Sequence, residues 1–398
     1  MKRIIASIFG IPALACFGFA LIGAPAAAQE APKPVEAPVA PQPGPEQPPK
    51  RTPKIQLAIL LDTSGSMDGL IDQARTQIWK IVNTFSKAKQ EGVAPVLEVA
   101  LYEYGNDGIP ATEGHVRQVV GLTTDLDKVS QELFKLTTNG GEEYCGEVIK
   151  RTIGGLQWSD HRDDYKAIFI AGNEPFTQGT VDYAESCKAA IAKGVIVNTI
   201  HCGDYQEGIN SKWQAGALLA DGSYMAINAN VQVVHIESPV DGEIVKLGEE
   251  LNTTYIPYGS EAKEAADRQA EQDTHAAKSG GGAAVQRAQA KNSQNYRNDS
   301  WDAVDAIDAG TLKFEDIKRD QLPEELRKMT DEELKKYIDD KRTKRAELKK
   351  KLSELEAKRE AFVAEKRKES AEKGEETLDS AMTKAIEEQA AKRNIQTK

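Results

Sequence analysis

The feature that most narrows the fold is Ile55-Gln56-Leu57-Ala58-Ile59-Leu60-Leu61, a nearly unbroken apolar run that stops at Asp62-Thr63-Ser64-Gly65-Ser66. A strand wetted on one face alternates apolar and polar side chains. A continuous run therefore fits a parallel strand covered on both faces. Such a strand needs crossover helices, and the chain supplies them. Leu70, Ala74, Ile78, Ile81, Val82 and Phe85 recur at helical spacing just after the polar turn. Strands are predicted at 97–104, 116–122, 165–171, 195–200 and 224–227. Helices are predicted from the periodicity of Leu126, Val129, Leu133 and Leu136, then of Val148, Ile149, Ile153 and Leu156, and over 181–193 and 213–219. The alternation predicts an α/β fold, a doubly wound and mostly parallel sheet with helices on both faces. Ligands of such sheets sit beyond the carboxyl ends of the central strands.

Asp62-Thr63-Ser64-Gly65-Ser66 lies at such an end. Asp62, Ser64 and Ser66 place one carboxylate and two hydroxyls on one side of a turn, and Gly65 permits a tight backbone. Hard oxygen donors this close together suit Mg2+, which takes six oxygens at roughly 2.0–2.1 Å and keeps some waters. Ca2+ and Mn2+ use the same donors. The competing reading is that Ser64 and Ser66 cap the following helix.

On these residues the region 55–235 resembles a von Willebrand factor type A domain, with Asp62, Ser64 and Ser66 matching its metal-ion-dependent adhesion site. The resemblance implies a divalent cation whose last coordination position accepts a carboxylate from a partner protein, and a role in recruitment rather than catalysis. The stretches Ala171-Gly172-Asn173-Glu174-Pro175-Phe176-Thr177-Gln178-Gly179 and His201-Cys202-Gly203-Asp204 resemble a bacterial exported subgroup of these proteins.

Two site loops depart from the family pattern. Where the second loop carries a Thr, this chain has Glu143 with Glu142 beside it. Where the third carries an Asp, it has Gly172, followed by Asn173 and Glu174, either of which can contribute a donor to the ion. One carboxylate is thus lost from one loop and gained on another. A Glu reaches farther than a Thr and can occupy the position of a partner's carboxylate, so an incoming anion gains less. The alternative role for Glu142 and Glu143 is to favour the dipole of the helix starting near Cys145. Asp68 reads as an acid in the first turn of its helix.

Met1-Lys2-Arg3, the apolar run 4–22 and Ala26-Ala27-Ala28 compose a signal peptide over 1–28, with Cys16 in a faint lipoprotein-like context. Residues 29–54 are rich in Pro, Ala and Glu and read as an extended tether. Export places Cys145, Cys187 and Cys202 in an oxidising compartment. Cys145 opens a helix and Cys202 ends a strand, so a Cys145–Cys202 disulfide across the site loops is the expected pairing. Cys187 reads as a small buried residue, with pairing to either of the others as the alternative. His115, His161, His201, His235 and His275 show no ligand spacing, and His201 and Cys202, adjacent on a strand, point to opposite faces. No nucleophile–base constellation is legible, so an enzyme is not expected.

Residues 236–322 form an Ala- and Gln-rich, partly helical connector broken at Ser279-Gly280-Gly281-Gly282. In the charged tail, 323–398, Thr330-Asp331-Glu332-Glu333 is a capping box opening a long helix. Leu334, Ile338, Leu348, Leu352, Leu355 and Phe362 form a coiled-coil-like seam interrupted by Lys341, Arg345 and Arg359. Self-association through that seam and a solvated single helix both fit. Gly374 permits a turn before a last amphipathic helix bearing Leu378, Met382, Ala385 and Ile386, able to fold back. The net charge of -11 argues against nucleic acid and anionic lipid as partners. No stretch after the signal is apolar enough to span a membrane. Two readings follow: an exported, cation-dependent protein-binding module of the cell envelope, or an envelope scaffold whose type A domain has lost its metal.

Overall fold

The computed structural model describes residues 51–231, 235–280, 282–369 and 377–397, and side chains as far as 366 in the long helix. The expected signal segment with Cys16, residues 29–50 of the tether, and Gly374 lie outside the described residues.

The first strand, β1 (Lys54–Asp62), leads into α1 (Asp68–Asn83). A two-residue β2 (Lys89–Gln90) precedes β3 (Val96–Tyr104) and β4 (Val116–Thr123). Next come α2 (Leu126–Lys135), α3 (Cys145–Gly155), β5 (Tyr165–Gly172), α4 (Tyr183–Ala192) and β6 (Ile196–Cys202). Short helices α5 (Tyr205–Asn210) and α6 (Trp213–Leu219) and the edge strand β7 (Tyr224–Ile227) complete the series. The six-stranded sheet has the order β4-β3-β1-β5-β6-β7, parallel throughout except that β4 runs antiparallel to β3. This is the doubly wound order. The chain leaves β1 for β3 on one side and later returns to β5 on the other, so the crevice between β1 and β5 at their carboxyl ends is the switch point.

Alternation along β1 divides the core. Ile55, Leu57, Ile59 and Leu61 pack on one face against α1 and α2, while Ala58 and Leu60 pack on the other against α3, α4 and Trp213 of α6. The apolar run is continuous because both faces are covered.

The remaining elements are α7 (Asp241–Asn252), α8 (Ala262–Lys278), α9 (Ala283–Asn292), α10 (Ala303–Asp308), α11 (Glu324–Arg327), the 39-residue α12 (Asp331–Glu369), α13 (Leu378–Ala391) and β8 (Ile395–Gln396). The capping box forms: the Thr330 amide donates to Glu333 Oε2 at 2.8 Å, and the Glu333 amide donates to Thr330 Oγ1 at 3.2 Å. The seam of α12 is covered within the chain. Leu348, Leu352 and Leu355 pack with Ile244, Leu247 and Leu251 of α7, and Leu334 and Ile338 pack with Val304 and Leu322. Its polar interruptions are partners to the same neighbours. Arg345 donates to Asp302 at 2.7 Å and to the Thr254 carbonyl at 2.7 Å, Arg359 donates to Asp241 at 2.8 Å, and Lys341 donates to the Thr253 carbonyl at 2.7 Å. The expected self-association seam is therefore already occupied by α7, α9 and α10, because its apolar side chains find partners closer in the chain than a second copy.

The last helix completes the first sheet. Leu378, Met382, Ala385, Ile386 and Ala390 of α13 join the core beneath α1, and β8 pairs antiparallel with β2. Gln389, buried, accepts from Tyr165 Oη at 2.9 Å and exchanges hydrogen bonds with Asn198. The helical residues between β7 and α13 are thus an insertion ahead of the helix that covers one face of the sheet. No helix among the described residues is long and apolar enough to cross a membrane.

Candidate metal centre

The site begins where β1 ends. Register places Asp62 beside Tyr104, and the Thr63 amide donates to the Tyr104 carbonyl at 2.9 Å. The chain then turns on Asp62: the Ser64 amide donates to Asp62 Oδ1 at 2.8 Å, an Asx turn. Met67, not a serine, precedes the first residue of α1, and its side chain makes no capping bond. The hydroxyls of Ser64 and Ser66 are therefore not consumed by the helix end. They lie 3.4 Å apart, and Asn173 Nδ2 donates to Ser66 Oγ at 3.3 Å from the loop after β5.

Glu143 enters from the loop before α3. Its amide donates to Gln178 Oε1 at 2.6 Å, which ties this loop to the one after β5. Its side chain is buried, whereas Glu142 is exposed. Gly105 allows the two carboxylates to meet: its φ is +80°, and a Cβ there would stand 2.6 Å from Glu143 Cγ and 2.9 Å from Asp62 Oδ1. Any side chain would displace one of them. Gly172 is equally confined, since a Cβ would meet Tyr104 Oη at 2.4 Å and Asp62 Oδ2 at 2.9 Å. An Asp at this position has no space beside Tyr104, whose hydroxyl donates to the Ala171 carbonyl at 3.0 Å. Asn106 fastens the next loop, donating to the Thr137 carbonyl at 2.8 Å while its Oδ1 accepts from the Gly108 amide at 2.8 Å.

Burial pushes the Asp62 carboxyl up to about 7, against hydrogen bonds from Ser64 and the Asn173 amide that favour its anion. Burial and the Asp62 charge push Glu143 up to about 8. Glu174, half-buried on the β5 loop, raises both further. Three oxygens are left without a hydrogen-bond partner: Asp62 Oδ2, Glu143 Oε2 and Asn173 Oδ1. Buried polar atoms are ordinarily paired, so three orphaned acceptors beside two hydroxyls that the helix end does not use form a set of oxygen donors. Among the described residues no group of three or more His, Cys, Asp and Glu has a ligating arrangement. The set is two carboxylates completed by neutral oxygens, which suits a hard cation.

Of the residues expected to ligate, Asp62, Ser64, Ser66, Glu143 and Asn173 come together; Glu142 does not join them. Asp68 accepts a hydrogen bond from Thr138 at the start of α1. Sequence reasoning missed the roles of Tyr104, Gly105 and Gln178; the visible signals were a residue at a strand carboxyl end and a Gly directly after β3.

The expected Cys145–Cys202 disulfide is not formed; Cys145, Cys187 and Cys202 are free. Cys145 packs on the α3/α4 face of the sheet and Cys202 on the α1 face, so the sheet separates them. Cys145 Sγ instead donates to Tyr104 Oη at 3.9 Å, and burial pushes both thiols up. Strand alternation also separates His201 from Cys202. The His201 ring lies tilted 5.7 Å from that of Trp213 with neither ring nitrogen partnered, and burial holds its pKa below the ordinary value.

No family model matches the sequence, and no curated protein matches it. Among solved structures, the chain is similar to proximal thread matrix protein 1 from the mussel byssus (12% identity, TM-score 0.33), over 44% of this chain and 42% of that one. It is also similar to the SpRpn10 VWA domain (15% identity, TM-score 0.33), over 44% of this chain and 88% of that domain. A third similarity is to the conserved hypothetical protein BatB from Bacteroides thetaiotaomicron (13% identity, TM-score 0.33), over 55% of this chain and 99% of that one. The match thus spans less than half of the mussel protein. On its own strand order and register, the chain carries a doubly wound α/β sheet with its candidate centre at the switch point.

Proposed function

We propose that this is an exported protein whose α/β sheet holds a divalent cation, Mg2+ foremost, through Asp62, Ser64, Ser66, Glu143 and Asn173, and that this centre recruits a protein partner in the cell envelope. The observation that supports it is the trio of buried, unpartnered oxygens on Asp62, Glu143 and Asn173 facing hydroxyls not used as caps. When bound, the cation supplies the positive charge that lets both carboxylates ionise at neutral pH, where burial otherwise favours their protons. The chain's own groups do the rest. Gly105 brings the carboxylates together, Gln178 holds the Glu143 backbone, and Asn173 orients Ser66. We assign no catalytic step to the site.

Calorimetric titration of the full chain with Mg2+ tests this reading. Saturable heat that disappears in Ser64→Ala/Ser66→Ala supports it, and equal heats from the two proteins reject it. A scaffold without metal is the second reading, favoured by Gly172 where a third-loop carboxylate is expected. Stability indifferent to chelator would establish the scaffold.

A further inference from the structure

The loops around Asp62 are predominantly acidic, with Lys212 in the turn after α5 an exposed cation just beyond them along the chain. Segments 63–67, 105–115, 136–144, 173–182 and 203–210 meet at the carboxyl edge of the sheet, and they contain no Lys and no Arg. Backbone hydrogen bonds hold several together: the Asp107 amide donates to the Gly140 carbonyl at 2.7 Å, and the Asn139 amide donates to the Thr63 carbonyl at 3.0 Å. Asp107, Glu142, Asp204 and Glu207 are exposed on this rim and Glu174 is half-buried. Among the described residues none of the five forms a salt bridge. The amino ends of the strands differ, with Arg51 paired to Asp164 and Lys54 to Glu98.

Two further observations make the rim more than a cluster of acids. At its floor, the fully buried Asp62 and the nearly buried Glu143 each keep an oxygen without a partner. At its side stands Tyr205, 54% exposed, between Asp204 and Glu207. Its ring lies 5.0 Å from that of Tyr224, whose hydroxyl donates to the Tyr205 carbonyl at 2.7 Å and fixes the pair. An exposed aromatic face flanked by carboxylates is a receptor for an ammonium or guanidinium group.

An acidic side chain approaching this centre crosses a negative rim and arrives at an ion whose charge Asp62 and Glu143 already balance. Like charges brought together at an interface select against that partner. We propose that the site docks a Lys- and Arg-bearing polypeptide segment, with one cationic side chain over Tyr205 and others along Asp107, Glu142, Glu174 and Glu207. This rests on the cation-site reading above for its neutral floor and specifies the partner's chemistry. Association is then steered by charge and weakens as salt rises.

Fluorescence anisotropy on the full chain tests it, with a labelled Lys/Arg/Gly peptide and a Glu/Gly peptide of equal length, each with Mg2+ and then with chelator. The basic peptide binds. Its affinity falls about tenfold in Glu174→Gln/Glu207→Gln and in Tyr205→Ala, and stays within about twofold in Glu347→Gln/Glu354→Gln, which removes the same charge from α12. Mg2+-dependent binding of the Glu/Gly peptide overturns the proposal. So do equal losses in the rim and α12 variants, or no binding of the basic peptide by protein that retains its circular dichroism. Mg2+ calorimetry on the same samples separates the two claims. Heat without basic-peptide binding rejects only the cationic partner, whereas rim-dependent binding without heat rejects the metal.

Discussion

Two of the buried polar clusters among the described residues are built on opposite rules. Where α2, α8 and α9 meet, Arg287 is 2% exposed and donates to Asp127 and, at 2.8 Å, to Asp273; its guanidinium lies 4.3 Å from the Trp79 ring. Lys291 donates to Asp273 at 2.9 Å and to the Gly248 carbonyl at 2.7 Å, and Tyr296 Oη donates to Asp127 at 2.5 Å. Burial works to raise Asp273, yet Arg287 and Lys291 hold its carboxyl below the ordinary value. At the carboxyl edge of the sheet, two like-charged carboxyls share a pocket with no cation, and three oxygens stay unpartnered. Complementary buried charge fastens the helical insertion to the sheet. Among the described residues the carboxyls of Asp62 and Glu143 have no such counter-charge beside them, which is what the proposed cation would supply.

That contrast can be broken experimentally. The largest effect belongs to the paired cluster: Arg287→Met should lower unfolding free energy by about 3–5 kcal/mol in a denaturant titration, because Asp127 and Asp273 are left buried together. A loss under about 1 kcal/mol would show the cluster to be hydrated and the contrast unfounded.

At the other cluster an added ion should stabilise. Mg2+ at about 100 times its dissociation constant adds about 2.7 kcal/mol, read as a thermal midpoint shift that chelator reverses. Ser64→Ala/Ser66→Ala should abolish the shift.

Removing a charge there should carry the opposite sign to Arg287→Met. Metal-free Asp62→Asn or Glu143→Gln should be more stable than the native chain at pH 8 by on the order of 1–2 kcal/mol. The sign follows from the raised values of about 7 and about 8. Their stabilisation is complete below the ordinary carboxyl range and is lost as pH rises through 7 to 8. Metal-free native protein should therefore melt at lower temperature as pH climbs from 5 to 9, and either variant should flatten that slope. With Mg2+ present the dependence should reverse, since protons compete with the ion.

The smallest effect marks the outer limit of the paired rule. Lys87 and Glu360 meet at 3.0 Å in solvent, both more than half exposed. Glu360→Gln should change stability by less than about 0.5 kcal/mol.

Much of the sheet was legible in the sequence because burial imposes period. The predicted spans 213–219 and 224–227 coincide with α6 and β7, and β1, β3, β5 and β6 were each placed within two residues of their ends. Short elements without periodicity were not. Tyr205–Asn210 holds its helix through Asp204, which accepts from the amides of Gln206 and Glu207, and Lys89–Gln90 becomes a strand only when Ile395–Gln396 lies beside it. In the site, Asp62, Ser64 and Ser66 were visible as a local spacing, and Glu143 as an acid near the start of a helix. Tyr104 and Gly105 were not, since their roles arise from the neighbouring strand.

The order of elements, the two-faced first strand and the oxygen-rich turn at its end were determined by the sequence itself. Periodicity and turn chemistry are local, and each residue's neighbours along the chain suffice to express them. Tertiary structure alone decided that Cys145 and Cys202 lie on opposite faces of the sheet, that Arg345 and Arg359 join α12 to its neighbours, and that α13 closes the first sheet from the far end of the chain. Those outcomes depend on which surfaces meet between residues tens to hundreds of positions apart, and complementarity between distant surfaces leaves no period in a single sequence.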